Sequence, residues 1–220
     1  MEHSFDKDYW DQIWQGQRAA AMGTSQTNPH LIEEIGDLQP GTALDAGCGA
    51  GAEAIWLAEQ GWQVTAADVA AEALAYGAAR AADCGVADRV QWVQADLSVW
   101  EPATRYDLVT THYAHPAIPQ LAFYDRIASW VAPAGTLFIV GHLHHHDPSS
   151  AANQGHNHGN VETDEIEPPA SASMTAPDIT ARLDPAIWDV ATVEESSRTM
   201  TGSSGHAISI HDVVVRATRR

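Results

Sequence analysis

The segment Leu44-Asp45-Ala46-Gly47-Cys48-Gly49-Ala50-Gly51 constrains this chain more than any other. A short apolar run, Thr42–Ala46, has the character of a buried strand and leads into three glycines at alternate positions. A helical stretch follows over Ala50–Gln60, with Ile55, Trp56 and Leu57 on its apolar face and Gly61 as its stop. Glycine at such a corner lets the backbone turn sharply and approach a ligand closely. The start of the helix adds unpaired N–H donors and a partial positive charge. A strand, a glycine corner and a helix in this order need a sheet to pack on, which points to the α/β class.

The pattern then repeats. Gln63–Ala67 predicts a second strand, Ala70–Asp83 an Ala-rich helix and Val90–Gln94 a third strand. Tyr106–Thr111 predicts a fourth strand, Ile118–Val131 a helix, and Thr136–Val140 a fifth strand after the turn Pro133-Ala134-Gly135. Strands alternating with helices at this spacing imply right-handed βαβ units and a mostly parallel sheet. Near the C-terminus, Ala176–Leu183 reads as a helix. Trp188–Glu194 and Ala207–Arg216 read as an antiparallel pair joined through Thr201-Gly202-Ser203-Ser204-Gly205. At the other end, Tyr9 or Trp10 shares a helical face with Trp14, and Asn28-Pro29 opens a short helix carrying Leu31, Ile32 and Ile35 before the turn Gln39-Pro40-Gly41. The expectation is one domain over residues 1–220, with residues 1–40 as a helical segment at its N-terminal side.

Charge narrows the partners. Eleven basic residues against 29 acidic ones give a formal net charge of −18, a field that repels nucleic acid phosphates and anionic lipid surfaces. No stretch approaches the roughly 20 apolar residues of a membrane span. The N-terminus, Met1-Glu2-His3-Ser4-Phe5-Asp6, lacks a basic and then apolar leader. Cys48 and Cys84 have no CxxC partner, so a cytoplasmic, thiol-bearing protein is expected.

Asp68 ends the second strand, where an acid can accept hydrogen bonds from a ribose diol. That alone suits a dinucleotide site, and an NAD-dependent oxidoreductase is a competing reading. The glycines, however, run G-x-G-x-G and not G-x-G-x-x-G. Asp45, just before the first glycine, would repel a pyrophosphate and suits a cation-bearing nucleoside better.

The ordered set Leu44–Gly51, Asp68 and Gln94-Ala95-Asp96-Leu97 resembles the successive cofactor motifs of class I S-adenosylmethionine-dependent methyltransferases, and Tyr106-Asp107-Leu108-Val109 resembles their fourth strand. The resemblance implies a three-layer Rossmann-like fold on a seven-stranded, mostly parallel sheet with an antiparallel C-terminal strand. It also implies S-adenosylmethionine as cofactor. Asp45, Ala46, Gly47, Cys48 and Gly49 would line its methionine end, with Thr111 nearby. Asp68 would bind the ribose hydroxyls, Val69 and Leu97 would pack on the adenine, and Asp96 would face its amino group. Tyr9-Trp10-Asp11, Trp14, Asn28-Pro29-His30-Leu31, Ala54–Ala58 and Val140-Gly141-His142 are similar to the small-molecule branch with the tellurite-resistance and thiopurine-type enzymes.

A methyl acceptor would approach near the carboxyl ends of the fourth and fifth strands. His112, Tyr113 and His142 are therefore the candidate catalytic residues, with His115 beside them. Tyr9, Trp10 and Trp14 are placed either as a lid over the cofactor or as a staple packing the first helix. Six of the twelve histidines fall between 142 and 158, in a polar stretch, residues 143–169, read as a loop insert near the acceptor pocket. Such tracts bind metal ions through imidazole, so a metal-binding module is a third reading, but the spacing matches no defined site and no metal ligands are assigned.

Overall fold

The structure is a computed structural model, and it describes residues 5–15, 22–143, 172–201 and 207–220. The helices are α1 (Lys7–Gln15), α2 (Pro29–Ile35), α3 (Ala52–Glu59), α4 (Ala71–Asp83), α5 (Gln120–Ser129) and α6 (Ala176–Thr180). The strands are β1 (Thr42–Ala46), β2 (Gln63–Asp68), β3 (Val90–Gln94), β4 (Tyr106–His112), β5 (Val131–His142), β6 (Trp188–Thr201) and β7 (Ala207–Arg219). They form one seven-stranded sheet in the order β3-β2-β1-β4-β5-β7-β6. The pairs from β3 across to β5 are parallel, and β7 runs antiparallel to both β5 and β6. The expected fold class is the observed one.

Alternation along the strands splits the core into two layers. Leu137 and Ile139 of β5 pack on one side with Phe123, Ile127 and Trp130. Phe138 and Val140 face the other side with Leu31, Ile35, Ile55, Leu57 and Leu74. Phe123 and Ile127 sit one helical turn apart, so α5 presents both to the sheet. Fully burying an aliphatic or aromatic side chain of this kind stabilises by about 1.5–3 kcal/mol. Among the described residues no helix is long and apolar enough to cross a membrane.

Several boundaries depart from the sequence expectation. Helix α3 begins at Ala52 and not Ala50, because Gly51 stands before it in the left-handed region at φ 70°. Helix α5 is shorter than Ile118–Val131, and α6 stops at Thr180 and not Leu183. Strand β5 starts at Val131 and not Thr136. The Pro133-Ala134-Gly135 turn is absorbed as an irregularity, with Ala134 at φ 64° and the register shifting opposite Tyr106 and Leu108. Strand β6 continues past Glu194 to Thr201, and β7 runs to Arg219, because each supplies the other's backbone partners. The connection at residues 202–206 and most of the histidine tract, residues 144–171, lie outside the described residues.

Beyond β1 the chain first builds outward through β2 and β3, then returns to place β4 on the other side of β1. The carboxyl ends of β1 and β4 diverge at this reversal and open a crevice, the usual ligand site of such sheets.

Candidate cofactor and acceptor site

A cleft of about 1370 Å³ occupies this crevice. Gly47, Cys48, Gly49, Asp68, Val69, Asp96 and Leu97 line it, and so do His112, Tyr113, His115 and His142. The loop ends of β1, β2, β4 and β5 thus bring most of the sequence-predicted residues to one place. Asp45, Ala46 and Thr111 do not line the cleft. They lie in the layer beneath it, where the Thr111 hydroxyl donates to the Ala46 carbonyl at 2.8 Å.

The glycine loop is held from below. The Gly47 and Cys48 N–H groups donate to the Ala67 carbonyl at 2.8 and 3.1 Å, and Gly51 donates back to Cys48 at 2.8 Å. Gly47 has φ 81°, and a Cβ there would stand 2.3 Å from the Ala114 Cβ, so the position excludes any side chain. On the far side of the loop, the Trp92 indole fills the space that a Cβ on Gly51 or Gly77 would occupy, at 2.3 and 2.4 Å.

Asp68 links the loop to the next helix. Its Oδ2 accepts the Gly49 N–H at 2.8 Å and its Oδ1 accepts the Ala70 N–H at 2.9 Å. Each oxygen keeps a further lone pair for another donor. Asp96 accepts from the Ser98 N–H and hydroxyl at 2.9 and 2.6 Å, which fixes the turn carrying Leu97.

The glycine-loop end of the cleft is acidic, with Glu53 and Asp68 on its lining and Asp45 beneath. Burial, reinforced by the charges of Glu53 and Asp68, holds the Asp45 carboxyl well above the usual carboxylate range, and its Oδ2 makes no hydrogen bond among the described residues. Burial also raises Glu53, whose Oε1 accepts the Asn28 N–H at 3.0 Å, and raises Asp68 against the pull of its backbone donors. Burial pushes the Cys48 thiol up, with Asp68 and Asp45 adding to it. Cys48 therefore stays a thiol and is not poised as a nucleophile.

The acceptor end is different. His112 lines the cleft half-buried, with Nε2 unpartnered among the described residues and Nδ1 3.5 Å from the Thr110 hydroxyl. Burial, with a further contribution from His30, brings it down to about 3. His142 stacks on His115 with ring centroids 5.4 Å apart and lies 4.5 Å from the Tyr113 ring. Burial and the His115 neighbour lower His142 to about 4. His115 is lowered by burial, and its Nδ1 meets the Gln120 Oε1 at 3.1 Å. All three imidazoles are thus neutral near pH 7.

Tyr113, at φ 53°, turns its hydroxyl into a network absent from the sequence expectation. The hydroxyl donates to Asp212 at 2.7 Å and accepts from Arg198 at 3.0 Å and Asn28 at 3.2 Å. Burial and Asp212 raise it far above the usual phenol range. Asp212 is fully buried and takes Arg198 Nε at 2.6 Å, with His30 Nε2 at 3.3 Å. The one available signal was Asp212 itself, an acid inside the apolar run Ile208–Val215, since a buried carboxylate requires a partner. Glu53 and Arg198 carried no comparable mark.

Helix α1 packs over the glycine-loop end of the cleft. Trp14 is buried and packs with Ala50, Ala70 and Ala73, and its ring would stand 3.2 Å from a Cβ on Gly49. Trp10 donates its indole N–H to the His115 carbonyl at 3.1 Å, and both rings line the cleft. Among the described residues no group of three or more His, Cys, Asp or Glu could hold a metal ion.

Comparison with known proteins places this geometry. The family described as "Methyltransferase domain" matches residues 43–135. Trans-aconitate 2-methyltransferase of Streptomyces avermitilis is 34% identical over 115 residues, covering 49% of this chain and 42% of that protein. The chain spans less than half the length of the curated relatives it matches, between 16% and 46%. TehB from Haemophilus influenzae superposes with a TM-score of 0.65 and 14% identity, over 97% of this chain and 67% of that one. The magnesium protoporphyrin IX methyltransferase (ChlM) from Synechocystis PCC 6803, solved with bound SAM, gives a TM-score of 0.65 and 15% identity over 100% of this chain and 99% of that one. Such low identities speak for the fold. The domain match falls on the glycine loop and its flanking strands, and solved methyltransferases superpose along the chain, so this protein has the fold of those methyltransferases and, over residues 43–135, a sequence similar to the methyltransferase domain family.

Proposed function

We propose that the cleft binds S-adenosylmethionine and that the chain transfers the methyl group to a small-molecule acceptor. The observation that carries this reading is the glycine loop pinned to Ala67 and Asp68 at the open end of β1, with acids gathered beneath it. When bound, S-adenosylmethionine supplies an electrophilic methyl group on a sulfonium. The residues present suit it. The Asp45 carboxyl, whose Oδ2 makes no hydrogen bond among the described residues, offers with Glu53 and Asp68 compensation for a cation. The free lone pairs of Asp68 suit the two ribose hydroxyls. Val69 and Leu97 offer apolar faces to the adenine, and Asp96 an acceptor for its amino group. Gly47–Gly49 leave room for the methionine end, while Asp45, Ala46 and Thr111 act through the loop from below.

On the acceptor side the chain aligns the acceptor and excludes water, which are the main requirements of an in-line methyl transfer. His142 faces the cleft as a neutral imidazole and can accept a hydrogen bond or a weakly held proton. His112 shapes the floor. The Tyr113 hydroxyl, already engaged with three partners, orients the acceptor wall and is not free to act as a base. The net charge of −18 supports a small acceptor over a nucleic acid, and the cytoplasm is the proposed location. Titration calorimetry with S-adenosylhomocysteine tests the cofactor site, and transfer of labelled methyl to a panel of thiols, acids, amines and phenols tests the acceptor class. Micromolar binding and labelling of a small molecule are expected. No binding by the wild-type protein sinks the reading, and labelling confined to RNA or protein refutes the small acceptor.

A further inference from the structure

The cleft is asymmetric in charge. Among the described residues Asp6, Glu53, Asp68 and Asp96 line it, against two cations, Lys7 and Arg198. Lys7 is engaged with Asp11 on its own helix. Arg198 projects from β6 into the acceptor end, beside Tyr113, His142 and Ile210. It uses Nε on Asp212 and Nη2 on the Tyr113 hydroxyl, while Nη1 makes no hydrogen bond among the described residues. Its side chain is 25% exposed, whereas Asp212 is fully enclosed. The buried carboxylate therefore anchors the guanidinium from behind and leaves one edge toward the cleft. An arginine held this way has already lost its rotamer freedom, so a planar anion meets a preorganised fork.

We propose that Arg198 is a specificity-determining residue that recognises a carboxylate on the methyl acceptor, so that the substrate class is organic carboxylic acids in their ionised form. This rests on the methyltransferase reading and adds the acceptor's chemistry to it. The surrounding wall agrees with it. Ile32 and Ile210 give the acceptor end an apolar surface, which fits an organic body better than an inorganic oxyanion. His142 and His115 are uncharged near neutral pH and offer no competing cation. An anion entering from the acidic remainder of the cleft is thus directed to one guanidinium edge.

Ligand-observed saturation-transfer NMR on the protein loaded with S-adenosylhomocysteine tests this, using matched acids and amides: benzoate and benzamide, hexanoate and hexanamide, glutarate and glutaramide, with inorganic phosphate as a further probe. Acids are expected to bind and their amides not to. Arg198→Met should weaken acid binding by at least about tenfold, and Arg198→Lys should keep part of it. Retained S-adenosylhomocysteine affinity shows that a variant is folded. Should Arg198→Met fail that check, the double variant Arg198→Met/Asp212→Asn, which removes the buried charge together with its partner, replaces it. The acid and amide comparison on the wild-type protein needs no variant. Equal binding of acids and amides, binding of phosphate alone, no acid bound to the loaded protein, or acid binding unchanged in the methionine variant each overturns the proposal. Failure of S-adenosylhomocysteine itself to bind overturns the methyltransferase reading instead.

Discussion

The carboxylate of Asp68 and the backbone N–H of Gly49 stand 2.8 Å apart, so the acid at the end of β2 also braces the loop that leaves β1. The same carboxylate receives the Ala70 N–H at the start of α4. Truncating it removes two charge-assisted hydrogen bonds, each worth about 1.5–3 kcal/mol, as well as the proposed contacts to the ribose. Asp68→Ala should weaken S-adenosylhomocysteine binding by about 100-fold or more by titration calorimetry. Asp68→Asn, which keeps one acceptor oxygen, should lose about tenfold. An Asp68→Ala protein that is folded and binds within threefold of wild type would show that Asp68 serves only to brace the Gly49 and Ala70 backbone.

Local pattern revealed the glycine-loop half of this cleft and, across from it, His112, Tyr113 and His142, but not the Arg198–Asp212 pair behind Tyr113. Strand β1, the glycine corner and Asp68 are near neighbours in sequence, and period-two apolar runs bounded by glycine carry them. The Arg198–Asp212–Tyr113 network joins β6, β7 and the loop after β4, and Asp212 lies 99 positions from Tyr113. Pairing between distant strands leaves no local period. Strand β6 was legible only to Glu194, because Ser196, Ser197 and Thr199 carry no apolar signal and the ladder with β7 alone keeps them extended. The start of β5 was hidden for the opposite reason: Pro133-Ala134-Gly135 is a strong turn signal, yet the pairing of Val131 with Tyr106 overrides it.

The half-buried His112 gives a pH dependence of stability with a definite sign. Burial lowers it to about 3 in the folded protein, against an ordinary 6.5 when unfolded. Between these values the unfolded chain takes up a proton that the folded protein refuses. The contribution of the neutral ring is therefore fully present above pH 6.5 and is lost as pH falls toward 3. Each pH unit in this window costs on the order of 1.4 kcal/mol. Urea unfolding of wild type and His112→Gln at stepped pH from 7.5 to about 4.5 measures it. The wild type should lose stability relative to the variant as pH falls below about 6, with no divergence above pH 7. Parallel curves throughout would mean that the ring is not held neutral.

Trp14 decides whether α1 is a lid or a staple. Its ring lies over Gly49 and packs with Ala50, Ala70 and Ala73, while Trp10, one turn earlier, reaches the His115 carbonyl. Both contacts join the helix to the rim of the cleft and not to the layers around Phe123 and Leu57. A helix docked only at a rim can detach without unfolding the sheet. We therefore expect Trp14→Ala to release α1 locally and to weaken S-adenosylhomocysteine binding by about tenfold, with little change in the urea midpoint of the sheet. A core tryptophan would behave otherwise, since truncation inside a packed layer costs about 3–5 kcal/mol of global stability. Calorimetry and urea unfolding followed by circular dichroism, on the same preparation, separate the outcomes. A large fall in the midpoint with cofactor affinity preserved would make α1 a structural staple and end its assignment as a cover over the cofactor.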